Sequence, residues 1–363
     1  MTNALGPESR RLPSLTGLRW LAAFAVFGFH LRVHSLFRDG IGANVLSYLF
    51  AAGAVGVGFF FILSGFVLTW SSRPGDGTKD FWRRRFARVY PNHVVTWALV
   101  LAGLIATGRS VGLWEIGLNF ALLQAWVPDQ SIFFGMNTPS WSLSCEALFY
   151  LTFPALWAGL RGCSAQTLTV VLRLVVVGIF AVPTLALSMP DYLGYWFTFV
   201  FPLSRLFEFA LGIISARMLA DGLWPQVDFR QASGLLLGTY LLAPHVGGYG
   251  YGALTALPVA ALLVASARRD LSGAPSLWSR PLVVRLGEWS FAFYLLHQLV
   301  IRFAAPAHQD LVRGTLWAAV TLLVALAAAA LLHRTIELPV NTRLRSIRPH
   351  SVAPRRGDSD NAH

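Results

Sequence analysis

Two ionisable side chains stand in one apolar run near the start of the chain. Arg19 and His30 bracket Trp20-Leu-Ala-Ala-Phe-Ala-Val-Phe-Gly-Phe29, with no other charge between them. In a helix, eleven steps of about 100° return the two to within about 20° of one face, roughly 16 Å apart along the axis. In lipid such a face must turn toward protein or water. An imidazole accepts protons near neutral pH, and a guanidinium grips phosphates and carboxylates. The face is therefore a candidate active site. The plainer alternative is an Arg19 that snorkels to a headgroup while His30 marks the far interface.

Other apolar runs repeat the pattern. Ser142, Glu146 and Tyr150 recur at i, i+4 and i+8, on one helical face, and a carboxylate at such depth is expensive unless used or paired. Ser290, Tyr294 and His297 share another face, where a structural hydrogen-bonding histidine is the alternative. Arg205 and Glu208 lie three apart, as substrate ligands or as a structural ion pair. Ser64 follows the run Gly53-Ala-Val-Gly-Val-Gly58, whose small residues suit close helix packing, and its hydroxyl is a candidate substrate contact. Cys145, rotated about 100° from Glu146, reads as a packing residue. The basic cluster Arg73, Lys79, Arg83, Arg84, Arg85 and Arg88 is either an ordinary loop or a phosphate dock, with Arg85 and Arg88 nearest the bundle.

The elements that must position these groups are membrane helices. Of 363 residues, 55% are hydrophobic and 13% charged, and the mean hydropathy is +0.56, against roughly 25% charged in soluble domains. The net charge of +12 gathers between apolar runs and at the tail, as the positive-inside bias places it, and this argues against nucleic acid as a partner. The two cysteines form neither a metal ligand set nor a disulfide framework, and no metal is expected. The expected fold is all-α, a polytopic membrane bundle of about ten transmembrane helices. The spans fall near 16–37, 44–70, 92–108, 139–159, 167–188, 192–219, 231–245, 250–267, 287–304 and 312–334, and the piece 113–127 is too short and reads as interfacial. Residues 1–14 form a cytoplasmic tail, 15–340 the membrane domain, and 341–363 a basic disordered cytoplasmic tail. The first span lacks a small-residue cleavage site and is expected to be retained.

In register along these helices the chain resembles the acyltransferase 3 family of bacterial integral-membrane O-acyltransferases. The resemblance rests on Arg19 and His30; Phe60-Phe61-x-x-Ser64-Gly65-Phe66; Arg84-Arg85-x-x-Arg88-Val89-Tyr90-Pro91; Trp141-Ser142-Leu143-x-x-Glu146-x-x-Phe149-Tyr150; Arg205-x-x-Glu208-Phe209-x-x-Gly212; Ser290-x-x-x-Tyr294-x-x-His297; and Glu337-x-Pro339. The opening Leu12-Pro-Ser-Leu-Thr-Gly-Leu-Arg19 also looks like the branch that acylates macrolide antibiotics. The resemblance implies transfer of an acyl, acetyl-like group from cytoplasmic acyl-coenzyme A, a co-substrate rather than a bound cofactor, to a hydroxyl of a cell-surface glycan or a metabolite such as a macrolide. It also implies an essential role for Arg19 and His30, in a cell membrane with both termini inside.

Such a transfer needs a base, a stabilised oxyanion and tight positioning. His30 is the expected base, with Glu146 holding its other ring nitrogen as a carboxylate does in hydrolase triads. Arg19, Arg85 and Arg88 are expected on the donor, and Ser64, Ser142, Tyr150, Arg205, Glu208, Tyr294 and His297 on the substrates. A polar passage from the basic rim is expected to bring the first span's His30 together with Glu146 of the fourth. The rival from another class is a proton-coupled transporter or flippase of a glycolipid or drug, relaying through His30 and Glu146.

Overall fold

The computed structural model describes residues 11–346 apart from 73, 74 and 76. The described chain folds into helices α1 (Pro13–Val33), α2 (Gly40–Phe50), α3 (Val55–Ser71), α4 (Thr78–Ala106), α5 (Leu113–Phe120), α6 (Gln130–Phe133), α7 (Trp141–Leu160), α8 (Ala165–Ala186), α9 (Asp191–Tyr195), α10 (Pro202–Ala220), α11 (Phe229–Leu242), α12 (Ala253–Leu271), α13 (Pro281–Ala304), α14 (Leu311–Leu332) and α15 (Leu338–Ser346). Among the described residues there is no strand, only an isolated bridge between Phe37 and Gln309 at the end of α1 remote from the basic cluster. Among the described residues eight segments are long and apolar enough to cross a bilayer, so the chain is a multi-pass membrane protein. Of the other two expected spans, α11 has only 14 residues, about 21 Å of helix. Helix α13 has 24 residues, about 36 Å, but carries Arg285, Glu288 and Arg302.

Four sequence expectations change. The basic cluster is not a loop, since α4 starts at Thr78 and runs unbroken through Pro91. Arg83 pairs with Asp80 one turn earlier at 3.2 Å, and Phe81 stacks on Phe153 of α7 at 5.1 Å. These interactions give a charged sequence reason to be helical. The second span is two helices, α2 and α3, joined through Ala51–Ala54. The sixth is interrupted by a π turn at Trp196–Val200, after which Phe201 is extended and Pro202 opens α10, where a missing N–H costs nothing. Finally, α15 carries the first residues of the expected disordered tail to Ser346. Residues 347–363, and Arg73 of the cluster, lie outside the described residues.

The core is built on two helix pairs. Helix α1 packs along α13, and α3 along α10. In the second pair backbone meets backbone. A Cβ on Gly65 would run into the Phe209 carbonyl, and one on Gly212 into that of Ile62. Without a hydrophobic force between helices in lipid, such close approach is a main source of association. Leu18, Ile62, Phe66, Leu211 and Ile214 fill one side of this junction. Phe61, Phe149, Phe209 and Ile213 fill the other. Gly65→Ala and Gly212→Ala are each expected to lower the melting temperature of detergent-purified protein, at a cost of about 1–3 kcal/mol. Gly162→Ala, where an added Cβ meets nothing within 4 Å, should leave it unchanged.

Candidate active site

At the basic end of the bundle α1, α3, α4, α7 and α13 surround a cavity of about 370 Å³. Its wall gathers Arg19, Ser64, Arg85, Arg88, Ser142, Glu146, Tyr150 and Tyr294, contributed by five helices. An adjoining cavity of about 710 Å³ shares Arg85 and Arg88 and adds Arg84, Trp157 and Arg161. Together they form a basic vestibule at this end of the bundle.

Within it the α7 face is arranged as its spacing predicts. The Tyr150 hydroxyl donates to Glu146 Oε2 at 2.9 Å. One turn toward the helix start, Ser142 Oγ donates to the Pro139 carbonyl at 2.9 Å and accepts from the Tyr294 hydroxyl at 3.0 Å. Ser142 and Tyr294 thus line the cavity but spend their hydroxyls locking α7 to α13. Arg19 lies within electrostatic reach of Arg88, Glu146 and Glu337. Glu337, one turn before Asn341, accepts from Asn92 Nδ2 at 3.2 Å and faces His333 Nδ1 at 3.2 Å. Sequence reasoning gave neither Asn92 nor Glu337 a role at the site. The signal was present in the Glu337-x-Pro339 motif, but nothing in one sequence says that the last helix returns beside α4.

The expected contact between His30 and Glu146 is replaced by another. His30 Nδ1 lies 2.9 Å from His297 Nε2, and His297 Nδ1 lies 3.1 Å from the Phe293 carbonyl. The carboxylate belongs to the basic vestibule and the imidazoles to a separate pair deeper along α1. His297 is 0% exposed, and its ring stacks on Phe293 at 5.6 Å. His30 is half-buried. Neither histidine lines the arginine-walled cavity. Phe60 and Tyr294 stand in its wall with rings 5.8 Å apart, and Tyr294 lies 6.0 Å from His297 on its other side. The cavity that holds Arg19 and Glu146 thus ends without reaching either imidazole.

Arg205 and Glu208 are also relocated. They pair at 2.8 Å with 3% and 4% of their side chains exposed, outside the lining of either cavity. Arg205 lies over the Phe61 and Phe199 rings at 5.3 and 5.6 Å. Room for the pair comes from Gly58 and Gly252, where an added Cβ would approach Glu208 Oε1 to 2.9 and 3.2 Å. This is the structural ion pair, not a ligand set. Cys145 is buried with Sγ 3.5 Å from the Val200 carbonyl, a packing residue beside it.

The comparisons with known proteins follow the same architecture. A family model described as an acyltransferase domain matches residues 12–334, and the chain belongs to that acyltransferase family. It is 37% identical over 376 residues, 96% of each chain, to acyltransferase MdmB of Streptomyces mycarofaciens. It is 30% identical over 162 residues to peptidoglycan O-acetyltransferase OatA of Listeria monocytogenes, covering 40% of this chain and 24% of that one. It is 26% identical over 316 residues to exopolysaccharide production protein ExoZ of Rhizobium meliloti, covering 81% and 92%. No solved structure matches significantly.

Removing one member of a desolvated ion pair strands the other, at a cost of about 3–5 kcal/mol. Glu208→Ala is expected to reduce folded protein in membranes sharply, whereas the double replacement Arg205→Met with Glu208→Leu should recover most of it. Quantitative immunoblotting and thermal unfolding of the two variants check this.

Proposed function

We propose that this protein is a membrane O-acyltransferase that takes an acetyl-like group from cytoplasmic acyl-coenzyme A and delivers it to a hydroxyl of a sugar-bearing acceptor. The observation that carries the reading is the position of Arg19 and His30 on one helix. Arg19 lies in a basic vestibule and His30, farther along α1, in an imidazole pair. A thioester donor with an anionic nucleotide at one end and a reactive carbonyl at the other has the same polarity. Arg85 and Arg88, shared by both cavities, suit the donor's phosphates, since guanidinium forks bind them bidentately. Arg84 and Arg161 widen the same basic surface. The positive-inside bias then orients the vestibule toward the cytoplasm.

In the reaction the acceptor O–H bond breaks as its proton passes to His30. The new O–C bond forms at the acyl carbon, the C–S bond of the thioester breaks, and the proton leaves His30 for the departing thiolate. Direct transfer needs no acyl-enzyme. Phe60 and Tyr294 line the donor cavity and Tyr294 lies 6.0 Å from His297, so the thioester must pass these rings to reach the base. The names of the relatives support a sugar-bearing acceptor, since one acetylates peptidoglycan and another serves exopolysaccharide production. The Leu12–Arg19 opening, which resembles the macrolide-acylating branch, favours a metabolite such as a macrolide over a wall polymer.

Membranes carrying the protein, supplied with labelled acetyl-coenzyme A and a macrolide acceptor, should form the labelled ester. His30→Ala should cut the rate at least about 100-fold, the contribution of a positioned general base. Arg88→Ala should instead raise the donor KM, by roughly tenfold, and flatten its dependence on ionic strength. An unchanged rate in His30→Ala removes the imidazole from the chemistry.

A further inference from the structure

The hydrogen-bond chain running through the two histidines fixes where their protons sit. The Phe293 carbonyl can only accept, so His297 Nδ1, 3.1 Å away, carries the hydrogen. In a neutral imidazole the other nitrogen then offers a lone pair. His297 Nε2 is therefore an acceptor, and the group it faces at 2.9 Å, His30 Nδ1, must donate to it. His30 Nε2 is left with the lone pair. We propose that His297 is a positioning residue, which holds His30 as the Nδ1–H tautomer and so assigns Nε2 as the nitrogen that takes the acceptor's proton. This rests on the reading of His30 as the base.

The surroundings of His297 fit support rather than contact with substrate. Its ring is stacked on Phe293 with an interplanar angle of 19° and met edge-on by Phe27 at 6.3 Å. It is wholly buried where His30 is half-buried. Both of its nitrogens are engaged, one by its own backbone and one by His30, so no polar atom remains for a substrate. When His30 takes a proton, its Nδ1–H becomes part of a cation, and the bond to His297 becomes charge-assisted, hence shorter and stronger. A carboxylate in this place would do the same at the cost of burying a full charge in the bilayer. A backbone carbonyl acting through an imidazole orients the base with no net charge.

His297→Leu removes the acceptor and His297→Gln restores one through its side-chain carbonyl. With folding checked by thermal unfolding, His297→Leu should lose about 10–100-fold in kcat, the usual cost of losing an orienting partner, with both KM values within twofold. His297→Gln should recover most of that loss. A rise in acceptor or donor KM at unchanged kcat would make His297 a substrate ligand, and equal losses in the folded Leu and Gln variants would make it packing alone. Either result overturns the assignment. Nitrogen-15 NMR of histidine-labelled protein in lipid reads the tautomer without turnover. The signals that vanish in His30→Asn should show a protonated Nδ1 and a bare Nε2, becoming a mixture in His297→Leu. A bare Nδ1 in the unsubstituted protein refutes the proposal. If the tautomer is as stated yet His30→Ala retains activity, it is the base assignment that fails.

Discussion

Everything in this bundle follows from the cost of keeping charged groups inside a bilayer. Helix α1 presents a guanidinium and an imidazole along one stripe and cannot face lipid with it. The stripe is enclosed by α3 on one side and α13 on the other, and each side supplies what the enclosed group needs. Arg19 shares its surroundings with two carboxylates, Glu146 of α7 and Glu337 before α15, and with further arginines that keep the vestibule basic. His30 receives another imidazole. The α3–α10 junction, drawn tight by Gly65 and Gly212, is the rigid back against which this enclosure closes.

The two halves of the stripe are different electrostatic environments. The vestibule is full of charge and suits anions arriving from water, where phosphate recognition needs several forks. The histidine pair is surrounded by Phe27, Phe293 and Tyr294 and suits proton transfer, which gains from a dry, fixed dipole. The buried Arg205–Glu208 pair is a third solution, charge against charge with aromatic faces above the cation. Its role is to fix α10 against Gly58 of α3 and Gly252 before α12.

The fold class and most of the cavity wall were legible in the sequence because both depend on relations within one helix. Apolar length identifies a span, and the i, i+4 spacing puts Glu146 and Tyr150 on one face, where the hydroxyl meets the carboxylate. What stayed hidden depends on relations between helices. Spacing places His30 on a face of α1, but it does not say whether α7 or α13 meets that face, so Glu146 stood in for His297. The arginine cluster read as a loop because charge usually marks one. Its helix is held by the Asp80–Arg83 pair and by Phe81 packing on α7, one of them a tertiary contact that no local pattern shows. The π turn before Pro202 was equally silent, since proline says where a helix starts and not how the preceding one ends.

The rings of Phe60 and Tyr294, set between arginine-lined cavity and imidazoles, carry a consequence for the cell as well as for the reaction. A continuous hydrated path with arginines at one end and histidines at the other would conduct protons and small anions, and would dissipate the membrane potential whenever substrate was absent. Closely packed aromatic rings at such a point interrupt a file of water. A polar interior of this kind is compatible with an energised membrane so long as no water file joins its two ends.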